Sequence, residues 1–488
     1  MHNSARKSSS SSLWSAIPLS SYISIPTLLG TAPYALLEGL VLWPLELYES
    51  LAILPVSFLR RHMPLLGGTL VVLMTLHGIL LRLFLEMMHT IFARITYSRD
   101  PVFNFRTFWM GMCDRYAFME LRQVDWSFVH QLFGEAIQSS TSEDDLWIAL
   151  QESISLCNDP SLSVSQGGGV VARGKKLSTI AAAAKSYQHS ALSVIERNHL
   201  TDGGKRIASH FVCGILNAET SPGWRIGYIA LNSMTGFVDF PMPRVDALVP
   251  GWSSTGSQGQ DQGSDATVMM MENNKSSQVT VPEIYDLESM RWALEAILKS
   301  LGDIDGLILD LRFNQGGGSL LSSLSVASYF AGPKPSLAFS IDEKLPGGGD
   351  MQRFSRPKKY YIPNTSRSFR YRGPLVVLQS QYTRGTAELL CLALRKRPHT
   401  CSIGARTAGS LSATHKLRLP NYWTVEIPHQ RCFSADGELF EGVGIPPTKD
   451  VPEMTMPMFT NDAKAAHSGD LAKVDLCVKK AIEHITNV

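Results

Sequence analysis

The chain has 488 residues, 44% of them hydrophobic and 18% charged, with a formal net charge of +2. That length allows two or three domains around a sizeable core, while so small a charge, with no basic cluster or RNA-binding motif, excludes nucleic acid as a partner. The seven cysteines are odd in number and scattered, without CxxC pairs or His partners at metal spacing. They read as buried thiols in a reducing compartment rather than a disulfide frame or a zinc site, with a lone disulfide left open; no metal and no cofactor is expected.

The first segment, 1–99, opens on a Ser-rich tip, Met1 to Ser12, expected to be disordered. From Leu13 to Leu59 the sequence is apolar but broken by Pro18, Pro26, Pro33, Pro44 and Pro55, with Glu38, Glu46 and Glu49 inside it. Interfacial or re-entrant helices fit that pattern better than one clean span. Pro64 to Leu81 is a continuous apolar run closed by Arg82 and continued by a helix over Leu83 to Ile95. The run just reaches bilayer-spanning length, and basic residues at both ends leave the orientation open. Membrane attachment through these helices is expected, by one pass, two passes or an interfacial arrangement; the alternative is an amphipathic helix buried on the main domain.

The next segment, 100–164, reads as a small helical subdomain. Phe105, Phe108, Trp109 and Tyr116 recur at helical spacing and belong to a core, Asp125 is placed as an N-cap, and Thr141 with Asp144 has capping-box spacing. The third helix ends at Asn158-Asp159-Pro160. A β-rich middle segment, 165–251, carries a glycine link at Gly167 to Gly169, a small helix over Ala181 to Ala184 and a strand over Arg225 to Leu231. Ser, Gly, Gln, Asn and Asp dominate 252–280, which is an inserted, solvated loop. Asp286 to Leu301 resumes as an amphipathic helix.

Strands and helices alternate through 281–488, which predicts crossover units and a mostly parallel sheet. Gly306 to Leu311 is a strand buried on both faces, followed by Arg312-Phe313-Asn314-Gln315, three glycines and a helix-period run from Ser319 to Phe330. A strand, a Gly-rich turn and a helix start present free backbone N–H groups that suit an anion or a developing oxyanion; the glycines alternatively serve only close packing. Leu375 to Leu378 is a second buried strand, leading through Gln379 to Glu388 into a helix over Leu389 to Leu394, then a strand at Cys401 to Gly404 and a turn at Ala405 to Gly409. The polar excursion from Lys334 to Arg372 is expected as a lid or rim. Leu417 to Ile427 and Cys432 to Phe440 read as strand pairs, and Asp470 to Ile485 as a terminal helix.

Taken in order, DLRFNQGG at Asp310, LVVLQSQYTRGTAE at Leu375 and EGVGIPP at Glu441 resemble the core of the tail-specific (C-terminal-processing) serine peptidases. The branch containing interphotoreceptor retinoid-binding protein has similar "L-x-S-x-x-T-x-x-x-A-E" and "T-A-G" segments. The likeness runs from about Phe105 to the C-terminus apart from one insertion. It implies an α/β (α+β) fold with a crotonase/ClpP-like core, and no PDZ-like carboxylate loop is visible.

Carried over by position, the resemblance places Gly385 where the nucleophilic Ser belongs, Ser410 where one branch has its general-base Lys, and Ser161 where the other has its His. Glu441 matches a retained acid. Asn314, Gly316, Gly317, Gly318 and Thr386 are the candidate binding set around the oxyanion site. A glycine has no atom that attacks a carbonyl. Ser380, Thr383 and Thr386 are the nearby hydroxyls, and Lys416, His415 and His429 the displaced bases; a substitute pair needs contact within roughly 3 Å. The expectation is a membrane-attached pseudopeptidase that binds peptide termini or an apolar ligand in the old cleft. The alternatives are an active serine-type endopeptidase with a relocated nucleophile, or a purely structural partner domain.

Overall fold

Gly306–Asp310 is apolar at nearly every position because both of its faces are covered. Leu307 and Leu309 lie in one hydrophobic cluster and Ile308 in another, on the opposite side of the same strand. The computed structural model describes residues 98–175, 184–207, 210–218, 221–237, 281–332, 334–346, 353–363, 370–452 and 475–487. The expected membrane helices within 13–97, the Ser-rich tip, most of the Ala181 to Ala184 helix and the 252–280 insertion lie outside them. Among the described residues, no helix is long and apolar enough to cross a membrane.

Asn104–Val488 forms one unit. Its fourteen described strands are β1 (Ser163–Ser165), β2 (Val171–Arg173), β3 (Lys205–Ile207), β4 (Phe211–Ile215), β5 (Ile226–Leu231), β6 (Gly306–Asp310), β7 (Ser336–Glu343), β8 (Lys358–Ile362), β9 (Leu375–Gln379), β10 (Thr400–Gly404), β11 (Thr414–Arg418), β12 (Thr424–Pro428), β13 (Gln430–Ser434) and β14 (Lys449–Asp450). A seven-stranded sheet runs β14-β10-β9-β6-β5-β4-β3, parallel from β14 to β5 and antiparallel beyond. The helices Val281–Leu301, Leu320–Ser328 and Thr386–Arg395 cover one face, and Ala184–Asn198 and Leu476–Thr486 the other. Helices on both faces are what a buried parallel sheet requires, so this half is mixed α/β.

The 100–164 helices, Pro101–Arg115, Met119–Arg122, Trp126–Val129 and Glu143–Ser155, do not close a core by themselves. Phe105, Phe108, Tyr116 and Leu150 pack with Val425 and Ile427 of β12, and Trp147 meets Trp423 edge-on with ring centroids 5.3 Å apart. β12 also pairs with β1, Ser163 opposite Glu426, inside a four-stranded sheet β11-β12-β1-β2. The helical segment and the C-terminal half therefore share one core.

Several local expectations shift. Asp125 caps its helix as expected, accepting from Phe128 N at 3.1 Å. The next cap moves by one residue: Ser142 accepts from Asp145 N at 3.1 Å, while Thr141 turns back to Gln138 N. Gly167–Gly169 is not a loose link but a 3-10 turn joining the paired strands β1 and β2. The segment 165–251 is not only β-rich: β3 to β5 join the large sheet, and Ala184–Asn198 is a helix. The described part of the excursion after Lys334 is sheet rather than lid. β7 and β8 pair with β13 in a three-stranded sheet and bury Phe339, Ile341 and Ile362 in the main core, since their inward positions are apolar. Consequently Cys432 to Phe440 is not a self-contained pair; β13 pairs with β7, and only Phe433 bridges to Leu439. The seven cysteines are unbridged, and six of them are buried.

Candidate active site

In a parallel sheet, functional turns gather beyond the carboxyl ends of neighbouring strands. β6 and β9 are such neighbours, Asp310 opposite Leu378, and the turns that leave them lie side by side. Arg384 N donates to Asn314 O at 3.0 Å and Leu311 N to Leu378 O at 2.9 Å, locking the two turns together.

Gly385 sits at the head of the Thr386–Arg395 helix with φ 56° and ψ −123°. L side chains are strained in this region, yet sharp strand-to-helix turns that expose a nucleophile use it. A Cβ built at Gly385 has open room: its nearest neighbours are Ser410 O at 3.9 Å and Gly316 Cα at 4.0 Å. The turn thus leaves open room at a residue that carries no side-chain atom.

Ser161 and Ser410, the two positions expected to hold a base, meet directly: their hydroxyls are hydrogen-bonded to each other. Arg384 Nη2 donates to the same Ser410 Oγ at 3.1 Å, and Gly385 N donates to Ser410 O at 3.1 Å. Glu441 is buried below them, its Oε2 accepting from Leu411 N at 2.8 Å and Ser412 N at 3.0 Å, while Oε1 has no hydrogen-bond partner. Burial, helped by the charges of Asp159 and Glu388, pushes the Glu441 carboxyl well above its ordinary value. The structure therefore gathers Gly385, Ser410, Ser161 and Glu441 at one place.

The binding set divides. Asn314 is fully buried and its side chain is spent on the scaffold, Nδ2 donating to Leu231 O at 2.9 Å and Oδ1 accepting from Gly316 N at 2.9 Å. The Gly316 amide is thus withdrawn from any anion. Gly316 is a glycine for contact reasons: its missing Cβ would lie 2.7 Å from Arg384 O. Gly317 and Gly318 likewise abut Thr235 and Met234. Gly317 O accepts from Thr386 Oγ1 at 2.5 Å, and the Thr386 backbone amide stands at the free start of its helix.

No displaced pair forms among the described residues. Ser380 Oγ donates to Arg312 O, and Thr383 Oγ1 to Leu311 O at 2.8 Å. Both hydroxyls are buried in backbone contacts. His429 Nδ1 lies 3.0 Å from Ala413 O beside His415, and Lys416 pairs loosely with Glu426 at 3.7 Å. None of the three bases reaches a hydroxyl of the site.

Three features escaped the sequence reading. Glu388, buried, accepts from Thr407 Oγ1 (2.5 Å), Gly409 N (2.8 Å), Ser410 N (2.8 Å) and Gly385 N (3.1 Å), binding the 407–410 turn to the helix start. Its pKa is raised by burial and partly restored by those donors. Asp159 receives Tyr116 Oη at 2.9 Å and Ser161 N at 2.8 Å, which aims Ser161 inward. Arg312, next to the glycine turn, is clamped between Asp310 at 2.6 Å and Asp475 at 2.7 Å. The acid in the A-E pair was a visible signal for Glu388; nothing local announces Asp475 as a partner 163 residues away.

Residues 268–451 match the family model of Peptidase family S41. That stretch is an S41 peptidase domain. Two solved structures share this chain's arrangement: a candidate peptidase from Parabacteroides merdae, 20% identical with a TM-score of 0.52, matched over 77% of this chain and 98% of that one, and mature CPAF, 11% identical with a TM-score of 0.50, matched over 80% and 98%. Identities this low speak for the fold alone. Among the described residues, no three His, Cys, Asp or Glu side chains converge as a metal-ligand set.

Proposed function

We propose that this S41 domain binds without cutting: a pseudopeptidase, on the branch of interphotoreceptor retinoid-binding protein, whose former active-site cleft takes a peptide terminus or an apolar ligand and whose N-terminal segment attaches it to a membrane. The observation that carries the reading is Gly385, which holds the elbow geometry with nothing to attack a carbonyl. The paired hydroxyls of Ser161 and Ser410 support it, because neither is a base at neutral pH. Removing nucleophile and base leaves only the smaller share of catalysis that an oxyanion site supplies.

The test is exposure of the full chain to a fluorophosphonate serine probe, read by intact mass, alongside hydrolysis of an unstructured protein substrate. No adduct and no cleavage are expected. An adduct lost on Ser410→Ala or Thr386→Ala would establish the competing reading, a serine-type endopeptidase with a relocated nucleophile.

A further inference from the structure

Arg384 precedes the empty elbow and is partly sunk into the site, with Arg384, Gly385 and Thr386 all open to solvent on one side. Its Nη2 is held by the Ser410 hydroxyl, a neutral group. Among the described residues no carboxylate lies within ion-pair distance of it, and the nearby acids are otherwise engaged. Glu388 is saturated by four donors, Asp159 by Tyr116 and Ser161, with Arg122 at 3.8 Å, and Glu441 faces the Leu411 and Ser412 amides. Burial lowers the Arg384 pKa, the charge of Glu388 opposes that, the exposed Arg173 lowers it further, and Asp159 and Glu441 pull the other way. A part-buried guanidinium without a carboxylate in direct contact is costly unless a ligand completes it.

We propose that the vacated nucleophile space is a carboxylate site, in which the Arg384 guanidinium and the Thr386 backbone amide hold the carboxylate of a bound ligand above Gly385. This rests on the non-cutting reading and deepens it, since a peptide C-terminus and a fatty acid present the same group. The room freed by the absent Cβ and hydroxyl is what admits the carboxylate. A single planar guanidinium fork matches a carboxylate, and one cation with one helix-start amide suits a monoanion better than a phosphate.

The probes are acetyl-trialanine against its C-terminal amide, and octanoate against methyl octanoate, titrated by calorimetry onto the full chain. At least one acid is expected to bind tenfold or more tightly than its neutral partner, with the preference lost in Arg384→Gln and partly kept in Arg384→Lys; thermal melting of each variant checks folding. The better acid identifies the source. Equal binding of acid and neutral forms, no binding of either acid, an undiminished preference in folded Arg384→Gln, or stronger competition by inorganic phosphate than by acetate would overturn the site. Cleavage of acetyl-trialanine with an intact Arg384-dependent preference would instead overturn the non-cutting reading and leave the carboxylate site standing.

Discussion

Ser161 and Ser410 are 249 residues apart in sequence, and their hydroxyls share a hydrogen bond beside Gly385. One begins the chain segment after the helical bundle, the other closes the turn after β10, and neither position carries a proton acceptor suited to neutral pH. The contact brings both expected base positions beside the same turn. Reconstitution should therefore follow geometry. Combining Gly385→Ser with Ser161→His, and Ser410→Ala to make room, is expected to create fluorophosphonate labelling at position 385, read by peptide mass. The single substitutions should remain unlabelled, because nucleophile and base act as a unit. Labelling of Gly385→Ser alone would show that a base already stands there.

Gly385→Ser by itself tests the backbone. Space is available, so the cost is conformational: a non-glycine residue at φ 56° and ψ −123° should destabilise by about 1–3 kcal/mol. Urea denaturation of the variant is expected to shift to lower concentration without loss of native circular dichroism. An unchanged midpoint would mean that the turn relaxes.

Gly316→Ala tests packing. Its Cβ would stand 2.7 Å from Arg384 O and 3.1 Å from Thr386 N at φ 81°, pressing apart the two turns that define the site. Overpacking plus backbone strain should cost about 2–5 kcal/mol, and hydrogen exchange should quicken in both turns. Protection confined to its parent level would argue that the glycine is there for a ligand instead.

The Asp310–Arg312–Asp475 clamp ties the glycine turn to the start of the terminal helix, where Asp475 also caps Cys477 N at 3.1 Å. Arg312→Met leaves two buried carboxylates without their cation and should cost about 3–5 kcal/mol in urea denaturation. A loss below about 1 kcal/mol would show that water reaches the cluster.

Two acids give opposite pH dependence. Glu441 has a folded pKa well above the ordinary 4.5, by burial first and then by Asp159 and Glu388. The folded chain therefore holds that proton more tightly than the unfolded one, and the contribution is complete below 4.5 and lost as pH rises through the folded value. Glu441→Gln should flatten this decline and exceed the parent in stability at about pH 8, with little difference at about pH 4. Asp475 is the reverse: burial would raise it, but Arg312 and the helix amides bring it below 3.8, so its contribution is lost as pH falls through that lower value.

The two buried strands and the glycine turns were legible because each depends on neighbours in sequence. A strand covered on both faces must be apolar throughout, and a turn at positive φ selects glycine. The sharing of one core between the 100–164 helices and β12 was not legible, because Val425 and Ile427 read the same whether they face their own hairpin or a distant bundle. The strands inside the expected lid or rim were hidden likewise: β7 is half-buried, and a half-buried strand amid polar residues resembles a rim.

By itself the sequence determined the S41 pattern of residues 268–451 and the glycine at position 385, since both are matters of which residue occupies a position. Tertiary structure alone decided that Ser161 touches Ser410, that Asn314 and Gly316 satisfy each other, and that no carboxylate among the described residues pairs directly with Arg384. Those outcomes depend on directions and distances between segments brought together by folding, and a hydrogen bond holds only within about 3 Å. No local pattern encodes which of several nearby acids finds its donors first.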